Sequence, residues 1–216
     1  FVLKAGKKSY DFKTFEKKDT PRVSLKNKKT EQAHIAVGFP GYPEPHKDHW
    51  ALRLLSVVLG GNMSSRMFLG VREAKGLAYY IHTSTDNYRD AGTMVTNAGV
   101  DLGRVDEAVT SIIHEYQMVA EKGVPESELK KAKSFLKGKM VLGLEDSEEF
   151  AHLLAKYELL HGKTKTPVEI LALIDKVKVS DVNRVAKDLI KQEKMKFAAI
   201  GPFEDKGRFE KLLKFA

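Results

Sequence analysis

The first clear periodicity falls at residues 32–39, where Ala33, Ile35, Val37 and Phe39 occupy every second position. Such alternation puts four apolar side chains on one face of a strand. Two prolines and two glycines at residues 38–43 end it, since they cannot continue a ladder. Residues 47–59 change period: Trp50, Leu54, Val57 and Val58 recur at helical spacing until Gly60-Gly61-Asn62 stops the run. A second helix is predicted over 64–74, with Met67, Phe68 and Val71 on one side and Lys75-Gly76 closing it. Residues 77–85 and 92–100 read as paired strands joined by a polar turn at 86–90. Residues 104–121 are amphipathic through Val105, Val109, Ile112, Ile113 and Tyr116. A long helical run follows from 126 or 127 to about 161, bent near Gly138 or Gly143. Thr166-Pro167 opens another helix, with proline where its missing N–H costs nothing. Val179-Ser180-Asp181 marks the next cap, 194–200 a last strand and 203–215 a terminal helix. This order predicts an α+β fold, a mostly antiparallel sheet with helices packed against it.

Charge changes the picture at one end. The chain carries 37 Lys and Arg against 29 Asp and Glu, a net +8. Residues 1–29 hold ten of the basic residues and three of the acids, hence +7 of that excess. This tract, with Thr20-Pro21 and little apolar periodicity, reads as a solvated linker or hinge ahead of a single domain at residues 30–216. A nucleic-acid or membrane arm is disfavoured, because no basic–aromatic motif recurs in the globular part. No apolar run approaches the length of a membrane-spanning helix, and a soluble protein is expected, with the cytoplasm favoured over periplasm or organelle. A start at Phe1 without a signal-peptide pattern reads as a start inside a longer chain or after a removed leader.

Catalytic chemistry is hard to find. The absence of cysteine excludes disulfides, thiol catalysis and Cys-ligated zinc. A zinc hydrolase needs two histidines on one helical face, a carboxylate and a Glu to activate water. The seven histidines are scattered; His46 and His49 are close, but no Glu base lies near them, and they read as capping or surface residues. No G-x-S-x-G elbow, Walker loop or dinucleotide fingerprint occurs. Gly60-Gly61 before Asn62-Met63-Ser64-Ser65 could cradle phosphate, yet it follows a helix and lacks the Lys, so a helix stop is the better account.

One stretch carries more. Leu59-Gly60-Gly61-Asn62-Met63-Ser64-Ser65-Arg66-Met67-Phe68, then Val71-Arg72-Glu73-Ala74-Lys75-Gly76-Leu77-Ala78-Tyr79, resembles the signature of the pitrilysin family of zinc metallopeptidases. That family includes insulin-degrading enzyme and mitochondrial processing peptidase, and its pattern runs L-G-G-x-x-S-S-R-L/M-F, then R-E-x-x-G-L-A-Y. Weaker similarity extends over residues 30–216. The resemblance implies one of two homologous halves. The catalytic half of such a protein carries H-x-x-E-H. Here the corresponding helix, residues 50–59, has neither His nor acid, so the resemblance implies the inactive half, with no metal in this chain and zinc on the partner half.

The family also pairs an Arg and a Tyr seven residues apart that reach the substrate from the inactive half. Arg72 and Tyr79 match that spacing, and the resemblance implies a substrate-binding and transition-state-supporting role for both. A guanidinium and a phenol can each donate hydrogen bonds to a peptide carbonyl or an oxyanion. Read without the resemblance, Arg72 is an exposed helical residue and Tyr79 a packed strand aromatic. Tyr80 faces the opposite side of a regular strand. The expected partners are a catalytic half, in cis or in trans, and a peptide; the chain alone should not cut peptides. The competing expectation is a purely structural subunit of a larger complex with the same fold.

Overall fold

A computed structural model describes residues 21–215. Five strands form one sheet: β1 (Val23–Asn27), β2 (Gln32–Gly41), β3 (Ala78–Asn87), β4 (Gly92–Asp101) and β5 (Lys196–Gly201), in the spatial order β1-β5-β2-β4-β3. The β1–β5 pair is parallel and the other pairs are antiparallel, so the α+β expectation holds. Ala33, Ile35, Val37 and Phe39 of β2, Met94, Thr96 and Ala98 of β4, and Phe197 and Ala199 of β5 are all buried. They form one apolar face, and every second residue between them lies on the other.

Helices α1 (His49–Ser56), α2 (Val105–Lys122), α3 (Glu126–Gly143), α4 (Ser147–His161), α5 (Pro167–Lys176), α6 (Val179–Leu189) and α7 (Lys206–Leu212) complete the described fold. Their core residues include Leu52, Leu54 and Leu55 of α1, Ile112 and Tyr116 of α2 and Val182 and Val185 of α6. Tyr116 is fully buried, and its hydroxyl lies 2.6 Å from Thr96 Oγ1, itself 2.7 Å from Thr83 Oγ1. This chain of hydroxyls satisfies polar groups that would otherwise be costly in the core. Arg184 of α6 donates two hydrogen bonds of 2.7 Å to the buried Asp48 carboxylate ahead of α1. Thr166 accepts a hydrogen bond from Glu169 N–H while Glu169 accepts from Thr166 N–H, a reciprocal cap that starts α5 with Pro167.

Three expectations are corrected. The basic tract does not stay outside the sheet up to residue 29, because Val23–Asn27 pairs residue for residue with β5. Arg22 donates from Nη2 to the carbonyls of Gln192 and Leu213, tying this strand to the C-terminal region. An edge strand needs few buried side chains and commonly carries lysines; here Val23 is buried while Ser24 and Lys26 face outward, so charge hides the pattern. Residues 1–20 of the expected linker lie outside the described residues. The long helical run breaks after Gly143, where Asp146 accepts a hydrogen bond from Glu148 N–H and caps α4 as a separate helix. The terminal helix is shorter than 203–215, starting after Asp205, which accepts from Arg208 N–H. Among the described residues no helix is long and apolar enough to cross a membrane.

Candidate functional site

The signature between Leu59 and Tyr79 wraps the end of α1 around β3. After α1 the backbone widens through Val57–Gly61. Gly60 then lies so close to β3 that a Cβ there would stand 2.7 Å from Thr83 N. Asn62 Oδ1 accepts from Ser64 N–H at 2.8 Å and from Ser64 Oγ at 2.9 Å, while Ser65 Oγ donates to Asn62 O at 2.5 Å. Arg66 donates to Glu128 Oε2 at 2.9 Å and to Gly123 O at 3.2 Å, pinning the start of α3. A Cβ on Gly70 would stand 2.7 Å from Glu115 Oε1. Gly60, Asn62, Ser64, Ser65 and Arg66 thus have architectural jobs.

Arg72 and Tyr79 have no such job. Arg72 sits in the last turn of the wide helix Phe68–Glu73, which Gly76 ends in the left-handed conformation at φ +58°. Gly76 N–H donates to Arg72 O at 3.0 Å, Leu77 N–H donates to Val71 O at 3.1 Å, and Val71 and Leu77 are buried beneath the turn. Arg104, at the start of α2, holds the same turn from outside by donating to Lys75 O at 3.2 Å. The turn is therefore braced on both sides. The Arg72 guanidinium lies 4.9 Å over the Phe68 ring, a cation–π contact that leaves its N–H groups available.

Tyr79 owes its position to an irregularity in β3. Ala78 pairs with Val100 and Tyr80 with Gly99, so two steps on β3 match one on β4 and Tyr79 is the extra residue of a bulge. Counting back by twos from the buried Thr83 and Ile81 would put Tyr79 in the core. Instead it is 57% exposed, and Tyr80 is 43% exposed. The expectation of a regular strand with Tyr79 and Tyr80 on opposite faces is corrected: the bulge leaves both outside the core. Tyr80 is not idle there. Its ring covers Gly99, and its hydroxyl lies 3.0 Å from His34 Nδ1. The sequence signal for this contact was Gly99 itself, since a glycine inside a strand marks a close approach.

Metal ligands are a different matter. Among the described residues no group of three His, Asp or Glu could hold a metal ion. The nearest approach is Glu44, with His49 Nδ1 and His161 Nε2 each 3.7 Å from its carboxylate. Lys156 Nζ, 3.1 Å from the same carboxylate, already supplies the positive charge. These residues do not fit a zinc site. His49 is also a correction, since it is buried rather than on the surface. Burial pushes its imidazole down to about 4, against the opposing pull of Glu44. His46 accepts from Asp48 N–H at 3.1 Å in the turn ahead of α1, which has no side-chain cap. A cleft of about 860 Å³ lies elsewhere, between the second half of β3, the end of α1 and the α3–α4 pair; neither Arg72 nor Tyr79 lines it.

The described residues thus form a mostly antiparallel sheet with helices on its apolar face and a braced turn that carries Arg72 and Tyr79. Residues 3–136 match the family described as the peptidase M16 inactive domain, and the chain belongs to that family. It is 37% identical over 185 residues, or 86% of its length, to an uncharacterized zinc protease of Streptomyces coelicolor. It is 34% identical over 78% of its length to the uncharacterized zinc protease YmxG of Bacillus subtilis. The chain spans about two fifths of the length of these relatives, 40% and 41%. Its fold resembles the crystal structure of a peptidase M16 inactive domain from Pseudomonas fluorescens, with TM-score 0.76 at 17% identity over 84% of this chain and 44% of that one. A chain of complex III2 from Candida albicans shares the fold as well, with TM-score 0.76 at 16% identity over 89% of this chain and 49% of that one.

Proposed function

We propose that this chain is the non-catalytic, substrate-contacting half of a zinc metalloendopeptidase. In this reading a homologous half carrying H-x-x-E-H, in the same polypeptide or a separate one, supplies the zinc-dependent cleavage. This half positions an extended peptide against it. Arg72 and Tyr79 donate hydrogen bonds to a substrate carbonyl and to the oxyanion that develops as the carbonyl is attacked. The observation carrying the reading is their presentation. The signature's glycines, serines and Arg66 are consumed by the fold, whereas Arg72 and Tyr79 are held on a braced turn and a bulge with their donors turned to no protein acceptor among the described residues. Bracing without internal hydrogen bonds is what preorganised donors require, because their geometry is then set before substrate arrives.

The experiment is reconstitution. Peptide hydrolysis is expected from the two halves together, in one chain or mixed, and from neither alone. Undiminished hydrolysis by the catalytic half alone would contradict the proposal. It would favour the purely structural reading, which the fold shared with a complex III2 chain keeps in view.

A further inference from the structure

The bulge at Tyr79 raises a physical question. Inserting one residue into a strand frees it to slip back, and a one-residue slip that keeps Ala78 opposite Val100 would set Tyr79 opposite Gly99, turn Tyr80 into the core and turn Ile81 outward. Something must hold the register immediately after the insertion. Tyr80, Gly99 and His34 are lateral neighbours on three successive strands, since Tyr80 pairs with Gly99 and Gly99 with His34. The Tyr80 ring lies across Gly99, where a Cβ would stand 2.8 Å from Tyr80 Cδ1 and closer still to Cε1. Gly99 is buried although it faces away from the helices, so the ring is what covers it. Beyond Gly99 the Tyr80 hydroxyl reaches the His34 imidazole at 3.0 Å, with ring centroids 6.2 Å apart. One side chain therefore spans β3, β4 and β2. The glycine makes room for it, and the histidine fixes its end.

We infer that Tyr80 is a positioning residue: its ring over Gly99 and its hydroxyl on His34 lock the β3 register, and the lock keeps Tyr79 as the bulge residue, off Gly99 and available to substrate. Tyr80 itself touches no reacting atom. In the slipped register Tyr80 would lie opposite the buried Ala98 on the core face, so the fit of its ring over Gly99 discriminates between registers by sterics. The hydrogen bond adds the condition that the ring lie along the row toward β2. Without the ring, bulged and slipped pairings compete, and Tyr79 spends time away from its presented position. A misplacement on the order of 1 Å in a donor costs up to about 10²-fold in rate.

This inference rests on the reading of Tyr79 as a substrate donor, and a double-mutant cycle separates the two. Tyr79→Phe, Tyr80→Ala and the double variant are made in the protein with its catalytic half, and kcat for peptide cleavage is measured. Tyr80→Ala is expected to lower kcat by about 10- to 100-fold, and by less than about 2-fold in the Tyr79→Phe background, because residues acting as one unit are non-additive. Tyr80→Phe keeps the ring over Gly99 and should restore most of the rate. Equal loss in both backgrounds, or no loss in the wild-type background while Tyr79→Phe is impaired, would overturn the positioning role. Wild-type rates for Tyr79→Phe would instead defeat the donor reading. The lock has its own readout in that case: amide hydrogen exchange over residues 78–81 should accelerate in Tyr80→Ala, and unchanged exchange would refute it.

Discussion

Gly60 lies against the β3 backbone at Thr83, so that any Cβ at position 60 would stand 2.7 Å from the Thr83 amide nitrogen. Thr83 cannot retreat, because its hydroxyl is bonded to Thr96 and through it to the fully buried Tyr116. Gly60→Ala should therefore destabilise the chain by about 1–3 kcal/mol, the usual cost of overpacking. The midpoint of urea unfolding measures it. An unchanged midpoint would mean that the approach relaxes freely.

That contact also explains how much the sequence could say. The strands with four alternating apolar residues and the amphipathic helix containing Ile112 and Tyr116 were legible because burial imposes period on sequence. β1 was not, since Lys26 and its basic neighbours mask a strand whose main buried side chain is Val23. Arg72 and Tyr79 were legible as a spacing within a signature. The bulge that exposes Tyr79 was not, because alternation read from Ile81 and Thr83 assigns Tyr79 to the core. The Glu44–His49 contact escaped notice because a helix-start histidine and a loop glutamate carry no period.

Buried His49 makes stability depend on pH above the carboxylate range. Burial holds its pKa at about 4, against an unfolded value of about 6.5. Its contribution is therefore fully present above about pH 6.5 and is lost as pH falls toward 4, where the unfolded chain binds the extra proton. Thermal midpoints measured across that window should fall with acid, and less steeply in His49→Gln. Identical pH slopes would contradict the assignment.

Asp48 acts at lower pH. Two hydrogen bonds from Arg184 hold its carboxyl below the usual carboxylate range. Its stabilisation is thus present above the unfolded pKa of about 3.9 and lost as pH falls through the folded value. Arg184→Met removes the partner of a buried carboxylate, so acid unfolding should begin at higher pH. Circular dichroism followed from pH 6 to 2 tests this, and an unmoved acid transition would count against it.

Zinc should not bind to this chain by itself, because Lys156 already neutralises Glu44 and no other described trio converges. Elemental analysis after dialysis against zinc should find far less than one ion per chain. Stoichiometric zinc that disappears in His49→Gln would overturn the assignment of the metal to the other half.

The central claim is that Arg72 and Tyr79 work on substrate and not on the fold. Tyr79→Phe deletes one hydroxyl that has no protein hydrogen bond among the described residues, so stability should not change. Arg72→Lys keeps the charge but loses the planar fork. The deciding measurement is kcat for peptide cleavage by the assembled halves carrying each substitution, with thermal midpoints recorded alongside. The account predicts losses on the order of 10²–10³-fold for Tyr79→Phe, a clear loss for Arg72→Lys, and wild-type midpoints for both. Wild-type turnover in both variants would contradict it and leave the chain a structural half.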